Sequence, residues 1–349
     1  MSDMAVTSNR RTIIGGLLAA GAGTILPRPA RAAEPVARVI VDNDFSGDPD
    51  GLFQLAHHLL CDGVSIPLII GSHLPSGFGG SRSAQESAAE AATLARVMRL
   101  SLRSAPIAGA AGPLSSRTAS LPSAATASIV AEAMRGDPAR PLIYAAGASL
   151  TELALAWRAE PRIGRRLRLV WIGGKTPPGV TNALPEGAAP EFNLQCDPIA
   201  AQIIFNESDI PIWQVPEGAY RRMLLSAAEL DAMAEGGPLG RHLSGRVEAM
   251  AARIAAIPGA PALLHTDALV LGDSPLVTLT ALVPPIAPDP SSSRYTQIPT
   301  PRLGVDGRYT EYAAGRPMRV YTDVDANLTF RDMQARFMLL NRRLSPHKR

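Results

Sequence analysis

From residue 38 onward, short apolar runs alternate with helical patterns, and this rhythm restricts the fold more than any other feature of the chain. Arg38–Asp44 (RVIVDND), Ser65–Ser72, Pro106–Ala111, Pro141–Gly147, Leu167–Gly174 and Pro211–Pro216 read as strands. Between them, Pro49–Leu60, Ser83–Leu100, Ala124–Met134, Leu150–Arg158 and Pro198–Asn206 carry apolar residues at helical spacing. Parallel strands need a crossover between neighbours, and helices on both faces make their strands apolar throughout. The expectation is therefore α/β: a doubly wound, mostly parallel open sheet. After Leu225 the pattern shifts. Ala227–Ile257 and Pro275–Leu282 read as additional helices, Val283–Pro301 as a Pro- and Ser-rich loop, Tyr309–Asp325 as strands and Leu328–Leu340 as a closing helix. With 46% apolar but only 5% aromatic residues, the core is expected to be Ala, Leu, Val and Ile. No repeat or long linker divides the chain, so residues 33–349 are read as a single domain.

The first 32 residues are of another kind. Asn9-Arg10-Arg11-Thr12-Ile13-Ile14 precedes a Gly/Ala-rich apolar run, Gly15 to Leu26, and then Ala30-Arg31-Ala32. A charged start, a short apolar stretch and an A-x-A site read as an export signal, and the paired arginines resemble the twin-arginine type. The mature protein is then expected in the periplasm or secreted, with no membrane contact after signal removal. The signal also biases the charge. It holds four arginines and one Asp, so the chain's 34 basic and 31 acidic residues become 30 of each. A balanced charge offers no electrostatic footprint for nucleic acid. The two cysteines, Cys61 and Cys196, have no metal-ligand spacing, and their pairing is left open.

The chemistry concentrates after the first strand. Asp42-Asn43-Asp44-Phe45-Ser46-Gly47-Asp48-Pro49-Asp50-Gly51 puts four carboxylates within nine residues. In open α/β sheets, ligands bind at the carboxyl ends of the strands. Two carboxylates about 6 Å apart repel by roughly 0.7 kcal/mol even in water, and by more when desolvated. A hard cation removes that cost, and Ca²⁺ or Mg²⁺ prefers such oxygens. A capping role explains only Asp48, which with Pro49 makes a helix start. An EF-hand loop would want Glu at its twelfth place, which is Phe53. A strand followed by DxD also opens a metal-dependent phosphatase, and Lys175 suits that pattern. Phe45-Ser46 does not, and Asp273 lacks an acidic partner.

The cluster resembles the amino-terminal signature of the inosine–uridine type nucleoside hydrolases, with one extra loop residue and Asp50-Gly51 at the place of an Asp pair. Further segments resemble the same family in order: Leu142–Leu155 (LIYAAGASLTELAL), Val170–Gly174 (VWIGG), Glu191-Phe192-Asn193 with Asp197-Pro198-Ile199-Ala200-Ala201, and Gly272-Asp273-Ser274-Pro275-Leu276-Val277. The similarity spans about residues 38–340.

The resemblance implies a Rossmann-like core with extra C-terminal helices, a homo-oligomer, and hydrolysis of a ribonucleoside or related small ribosyl compound. It implies Ca²⁺, with Mg²⁺ as the second option. Asp44 would ligate the metal and serve as general base. Asp50 would hold metal or ribose, and the Ala146 carbonyl and Asp273 would complete the metal site. Asn182, Glu191 and Asn193 would hold sugar hydroxyls, with His73 a further ribose candidate. Two positions depart from the pattern. Gly51 stands where the family has a metal-binding Asp, for which Asp48 is the candidate substitute. Gly272 stands where some members have a His that assists the leaving base, leaving His265, Trp213, Tyr220 and Phe192 as candidates for that role. These departures keep a second reading alive: an exported sugar- or nucleoside-binding protein with impaired catalysis.

Overall fold

The computed structural model describes residues 34–344 apart from residues 76, 138, 185–189, 257–266 and 285–291. The export-signal reading and His265 therefore lie outside the described residues.

The amino-terminal two thirds alternates as its apolar rhythm requires. Strands β1 (Ala37–Asn43), β2 (Val64–Gly71), β3 (Ile107–Ala108), β4 (Leu142–Ala146), β5 (Leu167–Ile172) and β6 (Ile212–Val215) alternate with helices α1 (Asp50–Leu59), α2 (Ser83–Val97), α3 (Ala124–Met134), α4 (Thr151–Ala159), α5 (Phe192–Cys196) and α6 (Pro198–Asn206). Then follow α7 (Glu217–Tyr220), β7 (Leu224–Ser226), α8 (Ala227–Gly236), α9 (Pro238–Ala255), β8 (Ala268–Val270), α10 (Pro275–Thr280), β9 (Arg294–Pro299), β10 (Arg302–Leu303), β11 (Tyr309–Thr310), β12 (Pro317–Asp323) and α11 (Ala326–Leu344).

The main sheet has eight strands in the order β3-β2-β1-β4-β5-β6-β12-β9. All its pairings are parallel except β12 with β9 at the edge. Every residue of β1 is buried, because helices cover both faces of the sheet. Alternation along the strands feeds two cores. Val39, Val41, Ile143, Ala145, Val170 and Ile172 enter one, while Ile40, Leu142, Tyr144, Leu169 and Trp171 enter the other. Each such aliphatic side chain contributes roughly 1.5–3 kcal/mol on burial.

The order reverses between β1 and β4, since the chain first builds outward through β2 and β3 and then returns. Their following connections leave in opposite directions, which opens a crevice at the strands' carboxyl ends. Asp42 lies directly across from Ala146 there.

Two sequence expectations need correction. The stretch expected to be helical from residue 227 is, over residues 227–255, two helices rather than one, because Gly236-Gly237-Pro238 interrupts the pattern and Pro238 starts the second at a position needing no amide partner. Part of the expected loop at residues 283–301 is strand β9, which pairs antiparallel with β12. An edge strand is half solvated, so RYTQIP shows none of the apolar run that marks a central strand.

Candidate functional site

A cavity of about 490 Å³ opens at the crevice between β1 and β4. Asp44, Asp48, Asp50 and Asp273 line it, together with Glu191, Asn193 and Tyr220. Leu74, Phe78, Phe192, Met250 and Ile254 supply apolar walls. The Phe78 and Phe192 rings meet edge to face, with centroids 5.2 Å apart.

The aspartates come from three places. Asp44 lies just past β1, and Asp48 and Asp50 enter α1. Asp273 precedes α10 and is brought over by tertiary packing, its amide donating to Asp50 Oδ2 at 3.1 Å. Asp48 Oδ1 accepts the Asp50 amide at 3.2 Å. The expected cap is not formed there, because Pro49 rather than Asp48 stands at the cap position and no side chain caps α1. Burial is the largest cause holding Asp44, Asp50 and Asp273 well above the usual carboxylate range, and the neighbouring aspartates push in the same direction. Burial also raises Asp48 to about 6. Such a set resists ionisation as it stands, and a hard cation is the partner that would let all four carry charge. The donors therefore fit Ca²⁺ or Mg²⁺.

Among the described residues, a tighter trio of metal-type ligand atoms is His57, Cys61 and Asp332, within 4.8 Å of one another. It is a structural ion-pair cluster: Asp332 accepts from Arg336 at 2.6 Å and pairs with His57 at 2.8 Å. The Cys61 thiol, raised to about 12 by burial, is no ready ligand. Cys61 and Cys196 are both buried and free.

Asn43, between Asp42 and Asp44, has a role that sequence reasoning missed. Its Nδ2 donates to Asp273 Oδ2 at 2.8 Å and to Gln54 Oε1 at 3.3 Å, and its Oδ1 accepts the Asp44 amide at 2.9 Å. A Cβ on Gly51 would stand 2.8 Å from Nδ2, 2.9 Å from Cγ and 3.0 Å from Oδ1 of Asn43. A Cβ on Gly147 would stand 2.3 Å from the same Nδ2. The two glycines thus leave the room that the Asn43 carboxamide fills. The absence of a carboxylate at 51 and the presence of Asn43 are one packing solution. The other Asp of the motif, Asp42, lies beneath the site, where it accepts from Ser72 Oγ at 2.6 Å and from the Tyr144 hydroxyl.

The remaining candidates divide. Ala146 is the buried last residue of β4, and its neighbour Gly147 lines the cavity. Glu191 lines it too, but both oxygens are engaged. Oε1 accepts from Asn193 N at 3.2 Å and Tyr220 Oη at 2.8 Å, and Oε2 from Gly174 N at 2.6 Å and Leu194 N at 3.0 Å. Glu191 thereby caps α5. Asn193 Nδ2 donates to Gly147 O at 3.0 Å and Ile172 O at 2.9 Å, tying the ends of β4 and β5 together.

Besides Ala146, three expected site residues lie away from the cavity lining. His73 is buried beside the α5–α6 junction, with Nε2 3.4 Å from the Cys196 carbonyl, and Leu74 reaches the cavity instead. Asn182 has φ of 69° and donates from Nδ2 to the Thr322 carbonyl at 2.6 Å, so it is a turn residue. Trp213 is packed between the Arg168 and Arg319 guanidiniums, 3.9 and 4.4 Å from its ring, within the core. Tyr220 and Phe192 do line the cavity. Phe78, Met250, Arg253 and Ile254 line it as well and had no sequence motif to mark them. Their only signals are an aromatic in a Gly-rich loop and the helical spacing of 250, 253 and 254.

The family model described as inosine-uridine preferring nucleoside hydrolase matches residues 54–328. No curated protein sequence matches the chain. Among solved structures, the fold is similar to a plant nucleoside hydrolase (TM-score 0.64, 16% identity, 87% of this chain and 99% of that one). It is also similar to a purine-preferring ribonucleoside hydrolase from Gardnerella vaginalis (TM-score 0.62, 17% identity, 87% and 99%). A third similar structure is an inosine-uridine preferring nucleoside hydrolase from Bacillus anthracis (TM-score 0.58, 17% identity, 86% and 99%).

Proposed function

The chain belongs to the inosine-uridine preferring nucleoside hydrolase family, a family of metal-dependent N-ribosyl hydrolases, and from that premise we propose that it hydrolyses ribonucleosides with Ca²⁺ held by its aspartates and Asp44 as general base. The observation that supports this most is the convergence of Asp44, Asp48, Asp50 and Asp273 on one cavity at the topological switch point. Mg²⁺ is the alternative ion for the same oxygens. When bound, the cation supplies the positive charge that lowers the pKa of a water molecule.

The chain's own residues then have distinct tasks. Asp44 receives the proton that water loses as its oxygen bonds to the anomeric carbon. Its burial favours the protonated form once the proton has arrived. The negative floor stabilises the oxocarbenium character that builds on the sugar. Asn193 and Glu191 act mainly by keeping the strand ends and Tyr220 in place, since their hydrogen bonds are made within the protein. The apolar walls and the exposed Phe78–Phe192 pair offer surface for a planar base.

The test is release of base and reducing sugar from a panel of ribonucleosides, with calcium and with a chelator. Wild type should release both only with the cation, and Asp44→Asn should lose about 10²–10⁴-fold in kcat. Ribose binding without release of base would select the binding-protein reading. Phosphate-ester cleavage without base release would select the phosphatase. We further propose export through residues 1–32; a reporter fused to residues 1–33 that stays in the cytoplasm would refute it.

A further inference from the structure

Breaking an N-glycosidic bond sends its electron pair onto the base, so negative charge grows there while the sugar turns positive. The aspartate floor suits the sugar and has the wrong sign for the base. The departing base needs a donor on the apolar side of the cavity, and the obvious donors are occupied. The Tyr220 hydroxyl donates to Glu191 Oε1 at 2.8 Å. The Asn193 amide donates to two strand-end carbonyls. Position 272 has no side chain, and Tyr220 Cδ2 lies 2.9 Å from where its Cβ would stand.

Arg253 is different. It is the cationic side chain among the described residues lining the cavity, and it shares one face of α9 with Met250 and Ile254. It is exposed, and it reaches across the loop of the acidic cluster to the Ser46 carbonyl with one long contact of 3.5 Å. A guanidinium has five N–H donors and stays protonated at any working pH. Among the described residues that one contact is its only hydrogen bond, and the guanidinium lines the cavity beside its apolar wall.

We propose that Arg253 hydrogen-bonds the departing base and stabilises the negative charge that develops on it, which makes it the residue that decides which leaving groups are accepted. The proposal rests on the hydrolase reading above. Arg253 acts by charge, without giving up a proton. The bond from the anomeric carbon to the base nitrogen breaks, and its electron pair goes to the base. The water oxygen bonds to the anomeric carbon, the water proton passes to Asp44, and the base anion takes a proton from solvent on release. The guanidinium does for the base what an oxyanion hole does for an acyl oxygen.

The experiment compares wild type, Arg253→Met and Arg253→Lys, all loaded with calcium, on ribosides of graded leaving ability from purine nucleosides to 4-nitrophenyl riboside. Arg253→Met should lose roughly 10²–10³-fold in kcat on the nucleosides and no more than about threefold on the nitrophenyl riboside, whose leaving group needs no help. Arg253→Lys should fall between. Equal loss along the whole series would overturn the proposal, because a merely structural role is blind to the leaving group. A second arm measures binding of a free purine base by calorimetry. Arg253→Met should bind about tenfold more weakly, as loss of a charge-assisted hydrogen bond gives, and unchanged binding would overturn the contact. If wild type cleaved no riboside while Arg253→Met still lost base binding, the base contact would stand and the hydrolase reading would fall.

Discussion

Replacing a helix-interior glycine by alanine ordinarily stabilises a protein by about 0.5–1 kcal/mol. Gly51, in the first turn of α1, should do the reverse. The new Cβ would lie 2.8–3.0 Å from three atoms of the Asn43 carboxamide, well inside normal contact. Asn43 is fully buried and cannot swing into solvent. Overpacking of this kind costs about 1–3 kcal/mol. Displacing the carboxamide also breaks its 2.8 Å bond to Asp273 and strands a buried acceptor, a further cost of about 1–3 kcal/mol. Set against the helix gain, Gly51→Ala should lose about 3 kcal/mol. In an Asn43→Ala background the obstacle is gone, and the same change should be neutral or stabilising by up to about 1 kcal/mol. The two sites should therefore couple by about 3 kcal/mol, measured by urea denaturation of the four proteins of the cycle in chelator. Additivity within about 0.5 kcal/mol, or a stabilising Gly51→Ala in the wild-type background, would refute the claim that Asn43 fills the space left at 51.

Three further outcomes follow from the structure. The folded apo-protein holds protons on Asp44, Asp48, Asp50 and Asp273 that the unfolded chain has released, because their folded pKa values are raised above 3.8, with Asp48 at about 6. Their contribution to stability is thus full below the unfolded pKa and is lost as pH rises through the folded values. A bound cation needs the ionised forms, so the rise in Tm on adding calcium should be larger at about pH 8 than at about pH 5, and an equal rise at both would count against the aspartates as ligands. Phe192→Ala, at the cavity wall, should raise KM for nucleosides by about tenfold. Asn182→Gly should leave KM unchanged, since its amide bonds the Thr322 carbonyl and its φ of 69° suits glycine. A large KM effect in Asn182→Gly would restore that residue to the sugar site.

Legibility varied with the range of the interaction that decides each feature. β1, α1 and α6 could be read closely because a strand buried on both faces must be apolar and because Asp197-Pro198 announces a helix start. Glu191 was legible as important, but local sequence could not distinguish gripping a sugar from capping α5. That depended on Tyr220 and Gly174 arriving from elsewhere in the fold. Trp213 shows the same ambiguity, since an aromatic on a central strand can face a pocket or the core, and two arginines from flanking strands hold it in the core. Strand β9 was missed because its apolar partner face is shared with solvent.

By itself the sequence determined the α/β class, the position of the acidic cluster after the first strand and hence the end of the sheet where the acidic cavity opens. These follow from periodicity and from the high cost of gathering carboxylates without a cation, both local properties. Only the tertiary structure decided that Asp273 joins Asp44 and Asp50 across more than two hundred residues, that Asn43 occupies the room beside Gly51, and that Arg253 stands over the cavity. Those facts depend on how helices α1, α9 and α10 dock on the sheet. Docking is set by the summed packing of many side chains, and no short stretch of sequence carries that information.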